Sequence, residues 1–110
     1  MRLPNRTKAY VPRAKLTQYL LSEAHTVGKS KAKFFRACGF DETTVDRLEQ
    51  SLLAIARTGA VVKTVPSPYG DKYVVDGDLA LPSCSSVIVR TVWIIETGET
   101  RPRFVTAYPI

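Results

Sequence analysis

The helix-to-strand switch that decides the fold lies in residues 45–65, VDRLEQSLLAIARTGAVVKTV. Before Gly59, apolar residues recur every three or four positions, which is typical of a helix with one buried face. After Gly59 the chain is rich in β-branched residues and the apolar period falls to two, which is typical of a strand. These patterns predict a helix that starts at Asp41, stops before Gly59 and is followed by β-structure.

Proline and glycine residues divide the rest of the chain into further elements. Upstream, the pattern predicts an extended arm over residues 1–12 and helices over residues 13–23 and 29–37. Downstream, it predicts strands over residues 60–65, 72–81, 87–96 and 102–108, the second of them interrupted at Gly77-Asp78. The sequence therefore predicts a single α+β domain, in which about three N-terminal helices (residues 13–58) pack on a four-stranded antiparallel β-meander (residues 60–110).

Charge is unevenly distributed along the 110 residues, whose net charge is +6. Residues 1–40 carry nine Lys and Arg residues against one Glu, a net charge of +8, and residues 41–110 carry seven cations against nine acids, a net charge of −2. Segregation of this kind favours a polyanionic partner such as nucleic acid. A solvated basic face, or a face that meets an acidic protein, remains the alternative.

Several classes of protein are excluded by what the sequence lacks. No apolar run approaches the length of a membrane span, and the N-terminus has no apolar stretch of a signal peptide, so a cytoplasmic protein without a membrane partner is expected. Cys38 and Cys84 have no second ligand at metal-binding spacing, and no acidic pair is placed to hold magnesium. We therefore expect neither a metal nor a cofactor.

The segment 25–36 holds the only histidine and a cluster of cations, the groups that metal-free phosphodiester chemistry requires. His25 can serve as base or acid, and Lys29, Lys31 and Arg90 can hold the phosphate. Lys29, Lys33 and Arg36 fall at i, i+4 and i+7 and share one helix face, with Lys31 at its border. The same residues also fit a plain basic helix that never meets a substrate.

The last two strands add polar side chains to this hypothesis. Alternation places Arg90 with Val92 and Ile94 on one face of the third strand, and it places Phe104, Thr106 and Tyr108 together on one face of the fourth. Arg90 either pairs with an acid of the third helix, Asp46 or Glu49, or faces an open cleft and binds phosphate. Thr106 and Tyr108 can donate hydrogen bonds there. Trp93, Tyr69, Tyr73 and Phe104 can stack on bases, although core packing explains most of them as well.

Four motifs resemble an uncharacterised family of short bacterial domains that occur alone or at the C-termini of larger toxin-like proteins. The motifs are H-x-V-G-K-x-K-A-x-F-F over residues 25–35, P-Y-G-x-K-Y over residues 68–73, R-T-V-W-I over residues 90–94 and P-R-F-V-T-A-Y-P over residues 102–109. The resemblance covers residues 3–110. More distantly, the chain resembles the BECR ribonuclease superfamily of barnase, EndoU, tRNase colicins and RelE-type toxins, in which N-terminal helices precede a four-stranded antiparallel sheet.

The BECR resemblance implies an active set of His25, Lys29 or Lys31, Arg90 and Thr106, with Tyr108 in support. EndoU-type sites use two histidines and this chain has one, so a lysine or arginine would fill the second role. Which residue is the acid and which the base stays open.

Together these observations predict a metal-independent endoribonuclease toxin that cleaves tRNA or mRNA to 2′,3′-cyclic phosphate products. Its expected protein partner is an acidic antitoxin or immunity protein that covers the basic face. The catalytic residues of this hypothesis are His25, Lys31, Arg90 and Thr106. The residues expected to bind the substrate are Lys29, Lys33, Arg36, Lys72, Trp93 and Tyr108. The rival hypotheses are a non-catalytic nucleic-acid-binding module and an interaction or immunity protein whose basic face meets an acidic partner.

Overall fold

The computed structural model describes residues 1–24 and 29–110, so the predicted catalytic residue His25 lies outside the described residues, as does the side chain of Lys29. After a short 3₁₀ turn at Arg6–Lys8, helix α1 begins at Arg13–Lys15 and continues as a π-helical turn over Leu16–Leu20. Helix α2 spans Lys29–Ala37 and helix α3 spans Val45–Thr58. The predicted helical half is thus present, with α1 three residues shorter than the periodicity predicts.

Helix α3 begins four residues later than predicted, because Asp41 forms a local turn instead of a helix start. The Asp41 carboxylate accepts hydrogen bonds from the backbone N–H of Thr43, at 2.8 Å, and from its hydroxyl. Short polar side chains that bond nearby backbone in this way compete with helical hydrogen bonding. The apolar stripe of α3 is confirmed, since Leu48, Leu52 and Ile55 are all buried.

The four strands form one antiparallel sheet in the order β1-β2-β3-β4, with β1 at Ala60–Ser67, β2 at Gly70–Ala80, β3 at Ser86–Glu96 and β4 at Arg103–Pro109. The prediction of an α+β fold with a four-stranded meander is confirmed. The predicted interruption at Gly77-Asp78 is wrong, because β2 runs through it. A side chain at Gly77 would lie 3.0 Å from the Ile55 side chain, so glycine here lets α3 pack closely on an unbroken strand.

The hydrophobic core lies between the sheet and the helices. Val75, Val89 and Trp93 are fully buried on the sheet face that α3 covers. Thr91 is buried among them, and its hydroxyl group has hydrogen-bond partners. It donates to the Val75 carbonyl at 2.7 Å and accepts from the Trp93 indole N–H at 2.8 Å. We call the opposite face of the sheet, which carries Arg90, the outer face.

A β-bulge in β4 changes which of its residues reach the outer face. Trp93 pairs with Phe104 but Val92 pairs with Thr106, so Val105 is an extra residue between them. The predicted alternation of β4 is therefore wrong, because Phe104 lies on the core face while Thr106 and Tyr108 lie on the outer face. The bulge is what places these two hydroxyl-bearing residues on the same face as Arg90.

The N-terminal arm places α1 beside the edge of the sheet. Tyr10 forms a parallel bridge with Arg103, in which its N–H donates to the Pro102 carbonyl and its carbonyl accepts from the Phe104 N–H, both at 3.0 Å. The chain then turns into α1 at Pro12. Lys15 and Tyr19 consequently lie along the β4 edge, from which they reach over the outer face.

Candidate functional site

The outer face presents its side chains in three cross-strand rows. The rows are Lys72–Ile94–Arg103, Val74–Val92–Thr106 and Asp76–Arg90–Tyr108. Residues two apart in a strand point the same way and the rise is about 3.3 Å per residue, so adjacent rows lie about 7 Å apart. Arg90 and Thr106 are diagonal neighbours at about 7–8 Å, a distance that long side chains span. The register therefore brings together Arg90, Thr106 and Tyr108, three residues that the sequence hypothesis names.

Two hydroxyl groups and two cations lie close together at the β4 edge of this face. The Tyr19 hydroxyl and the Thr106 hydroxyl are 3.0 Å apart and form a hydrogen bond. Above the Tyr19 ring lie the Nζ atoms of Lys15 and Lys31, at 5.2 and 5.8 Å from the ring centroid. These distances are within the range of cation–π attraction, which holds the lysines over the ring. We call Lys15, Tyr19, Lys31 and Thr106 the hydroxyl–lysine cluster.

Sequence reasoning missed two members of this cluster, Lys15 and Tyr19. Tyr19 stands among the apolar positions of α1, and that position suggests core packing. One signal was available, because Lys15 and Tyr19 are four residues apart and therefore share a helix face. This spacing predicts that the Lys15 ammonium group lies next to the Tyr19 ring. Nothing in the local sequence indicates that this face meets β4.

Arg90 is paired, but with an acid that the sequence hypothesis did not name. Its Nε and Nη2 atoms donate to the two carboxylate oxygens of Asp76, each at 2.8 Å. The predicted partners Asp46 and Glu49 instead contact Arg13, at 2.7 and 3.3 Å. The reason is that Arg90 points away from α3, toward the residue opposite it in β2.

The Asp76–Arg90 pair fixes the guanidinium without using all of its donors. Hydrogen bonding to Asp76 raises the pKa of Arg90, with a smaller contribution from Tyr108, and the same bond lowers the pKa of Asp76. The Arg90 side chain remains 34% exposed. A guanidinium has five N–H donors, so Arg90 still has donors that can reach a phosphate.

We expect Asp76→Asn to make folding less sensitive to acid. Because Arg90 lowers the pKa of Asp76, this carboxylate stabilises the folded state above its unfolded pKa of about 3.9, and the stabilisation is lost as the pH falls through the lower folded-state pKa. At pH 7 the variant should lose about 1–2 kcal/mol, a value between those of exposed and buried ion pairs. Urea unfolding from pH 7 to pH 2 measures both effects, with Asp71→Asn in the same strand as control. A stability gap that stays constant down to pH 2 would contradict the assignment.

Helix α2 directs its cations to two different sides. Lys31 reaches the Tyr19 ring, whereas Lys33 is exposed beside Glu23, Ser30 and Arg36. Arg36 is half-buried and donates to the Leu21 carbonyl at 2.7 Å while pairing with Glu23 and Glu42. Hydrogen bonding to Glu42 raises the pKa of Arg36. Arg36 thus ties the end of α1 to α2, and the structure does not bring Lys33 or Arg36 to the hydroxyl–lysine cluster.

The position of Trp93 contradicts its predicted role as a substrate-binding residue. Its indole is fully buried, donates to Thr91 and packs edge-to-face on Phe104 with ring centroids 5.3 Å apart. A ring enclosed in this way cannot stack on a base. Alternation already places Trp93 on the face opposite Arg90, and that face is the one that α3 covers. Lys72, in contrast, lies on the outer face and lines a pocket there.

A family model for a domain of unknown function, DUF6883, matches residues 2–110. The chain belongs to the DUF6883 family. None of the functionally curated proteins matches it. Among solved structures, the DUF6883 fold is similar to a chain of the contact-dependent growth inhibition toxin–immunity protein complex from Klebsiella pneumoniae 342. The two share 16% sequence identity and a TM-score of 0.71, over 94% of this chain and 95% of the other.

The remaining features of this DUF6883 domain concern metals and membranes. Within residues 1–24 and 29–110, no group of three or more His, Cys, Asp and Glu side chains could hold a metal ion. In the same part of the chain, no helix is both long and apolar enough to cross a bilayer. Both cysteines are free thiols, and burial raises the pKa of Cys38.

Proposed function

We propose that this DUF6883 domain is a metal-independent endoribonuclease toxin that cleaves tRNA or mRNA. The observation that carries the proposal is the hydroxyl–lysine cluster: the Tyr19 and Thr106 hydroxyls are 3.0 Å apart, Lys31 Nζ lies 5.8 Å from the Tyr19 ring centroid, and Arg90 occupies the adjacent cross-strand row. Hydroxyl donors and cations fixed on one face are what a phosphorane transition state requires, because its extra negative charge must be stabilised without reorganisation.

The reaction is an internal transfer of the phosphodiester. The ribose 2′-oxygen attacks phosphorus and loses its proton to a base, the bond from phosphorus to the 5′-oxygen breaks, and an acid returns a proton to that oxygen. The products are a 2′,3′-cyclic phosphate and a 5′-hydroxyl. One bond from phosphorus to oxygen forms as another breaks, and the proton taken from the 2′-oxygen is matched by the proton given to the 5′-oxygen. The step therefore needs no water and no oxidant or reductant.

The proposed roles follow from chemistry and position. Lys31 and Arg90 stabilise the charge on the phosphate, and the Thr106 hydroxyl donates a hydrogen bond to one of its oxygens while accepting one from the Tyr19 hydroxyl. His25 is proposed as the proton carrier on the basis of its chemistry and the BECR resemblance. Asp76 does not compete for this role, because it accepts two hydrogen bonds from Arg90 at 2.8 Å, and these lower the pKa of its carboxyl group.

An acidic immunity protein or antitoxin is the proposed protein partner. Two observations support it: the charge of +8 in residues 1–40, and the fold shared with a chain of a toxin–immunity protein complex. A protein that presents carboxylates to Lys15, Lys31 and Arg90 would block the hydroxyl–lysine cluster. Complementary charge of this kind also accelerates the encounter of two partners.

Incubation of the purified protein with total tRNA and mRNA in EDTA tests the activity. The expected result is cleavage by the wild type, with 2′,3′-cyclic phosphate ends, and loss of cleavage in His25→Ala. Tight RNA binding without cleavage would instead favour the non-catalytic binding module, and absence of RNA binding at low salt would leave the interaction or immunity protein. Cleavage by both proteins would point either to catalysis by lysine or arginine residues or to a contaminating ribonuclease.

A further inference from the structure

A pocket of about 340 Å³ opens on the outer face next to the hydroxyl–lysine cluster. Its floor is Ile94, which is only 4% exposed, and its walls carry Lys15, Lys72 and Arg103. Lys72, Ile94 and Arg103 form the first of the three cross-strand rows, so two strands of the sheet hold these cations on either side of an apolar floor.

The charges of this pocket favour an anion. Among the described residues that line it, three are cations and one is an acid, Glu96, which accepts a hydrogen bond from Arg103 Nε at 2.8 Å. That bond orients the Arg103 guanidinium and leaves its other N–H groups available. Pairing of one cation with one acid leaves an excess of two positive charges, which suits a phosphate group.

Tyr69 gives the pocket an aromatic rim. It lies in the turn between β1 and β2 and is 75% exposed, so its ring contributes nothing to the core. The turn is nevertheless held in place, because the Tyr69 carbonyl accepts from the Thr97 N–H at 3.0 Å and the Ser67 hydroxyl donates to the Gly70 carbonyl at 2.6 Å. An exposed ring on a fixed turn beside cations is the arrangement that stacks on unpaired bases.

The pocket is continuous with the hydroxyl–lysine cluster through Lys15. Its Nζ atom lies 5.2 Å from the Tyr19 ring centroid, and the same side chain lines the pocket. The row of Lys72 and Arg103 lies about 7 Å from the row of Thr106, by the rise of two strand residues. A chain of nucleotides that places one phosphate at Thr106 would therefore pass directly into the pocket.

We propose that this pocket is a subsite for single-stranded RNA: it binds the phosphate next to the scissile one, and the base beyond that phosphate stacks on Tyr69. The proposal rests on the ribonuclease function proposed above and extends it. It also specifies the substrate, because stacking on Tyr69 requires an unpaired base, whereas a base in a duplex is already stacked. The recognised segment is therefore a loop, an end or another unpaired region.

Cleavage of two substrates of different length tests the subsite. A dinucleotide contains only the scissile phosphate, whereas a single-stranded octanucleotide also fills the pocket. Tyr69→Ala should raise KM for the octanucleotide by about 5- to 100-fold, in line with the contribution of one stacked base. Lys72→Ala removes one of the phosphate-binding cations and should also raise this KM, and both variants should change dinucleotide cleavage by less than about twofold. Tyr69→Phe should restore octanucleotide cleavage. Arg47→Ala, which removes an exposed cation from α3, is the matched control for charge.

Equal losses on both substrates, or no loss on the octanucleotide, would overturn the subsite while leaving the ribonuclease function intact. If the wild type cleaves neither substrate, the proposed ribonuclease fails, and binding of a labelled octanucleotide at low salt then decides the subsite by itself. Weaker binding by Tyr69→Ala with unchanged binding by Arg47→Ala would support it. Equal binding by all variants, or equal affinity of the wild type for the octanucleotide annealed to its complement, would overturn it.

Discussion

Lys31→Ala should lower the rate of RNA cleavage by about 100- to 1,000-fold, the usual consequence of removing one group that stabilises charge in a transition state. Lys31 is the α2 cation that reaches the Tyr19 ring, next to the hydroxyl pair of Tyr19 and Thr106. The loss should fall mainly on kcat, because the charge on the phosphorane exceeds that on the bound phosphodiester. Single-turnover cleavage of a labelled oligonucleotide at saturating protein measures this step directly.

Lys33→Ala is the matched control for this prediction, since it removes the same charge from the same helix two residues away. Its side chain is exposed beside Glu23 and Arg36, so we expect less than about a threefold change in kcat and a small rise in KM at low salt. Lys31→Arg should retain part of the activity because it keeps the charge. Equal loss of activity in Lys31→Ala and Lys33→Ala would mean that α2 acts as a uniformly basic surface, which would remove the hydroxyl–lysine cluster from catalysis.

The α+β fold was predictable because the spacing of apolar residues within each short segment indicates whether that segment is a helix or a strand. The stripe of α3 and the β-branched run of β3 each need only neighbouring residues to be recognised. The bulge at Val105 was not predictable, because no glycine or proline stands at this position in the sequence. It arises from the register in which β4 pairs with β3. A single extra residue therefore places Phe104 and Thr106, which the alternation predicts on one face, on opposite faces of the sheet.

The candidate site was partly predictable for a related reason. The sequence identified Arg90 and Thr106 by their polarity within apolar strands, and the register brings them onto one face. It could not identify Asp76 as the partner of Arg90, because these residues are 14 positions apart and their pairing depends on the register of β2 against β3. Tyr19 was missed because it occupies an apolar-periodic position of α1, and the approach of α1 to β4 depends on long-range pairing such as the Tyr10–Arg103 bridge.

Trp93→Ala should lower the free energy of unfolding by about 3–5 kcal/mol, the range measured for the loss of large buried aromatic side chains. The indole is fully buried, and its removal leaves a cavity against Phe104. It also removes the donor of the hydrogen bond to Thr91, whose hydroxyl still has its bond to the Val75 carbonyl. Urea unfolding followed by far-ultraviolet circular dichroism measures this change, and the midpoint should fall without a change in slope.

Trp93→Phe separates a core role from a role in base stacking, and it remains informative even if Trp93→Ala fails to fold. Phenylalanine keeps an aromatic ring in the core but loses the indole N–H, so we expect a smaller cost of about 1–2 kcal/mol. Because the ring never reaches the outer face, the folded variant should bind and cleave RNA as the wild type does. Wild-type stability with weakened RNA binding would contradict the buried position, whereas weakened binding in Tyr69→Ala alone would place base stacking at the exposed turn between β1 and β2.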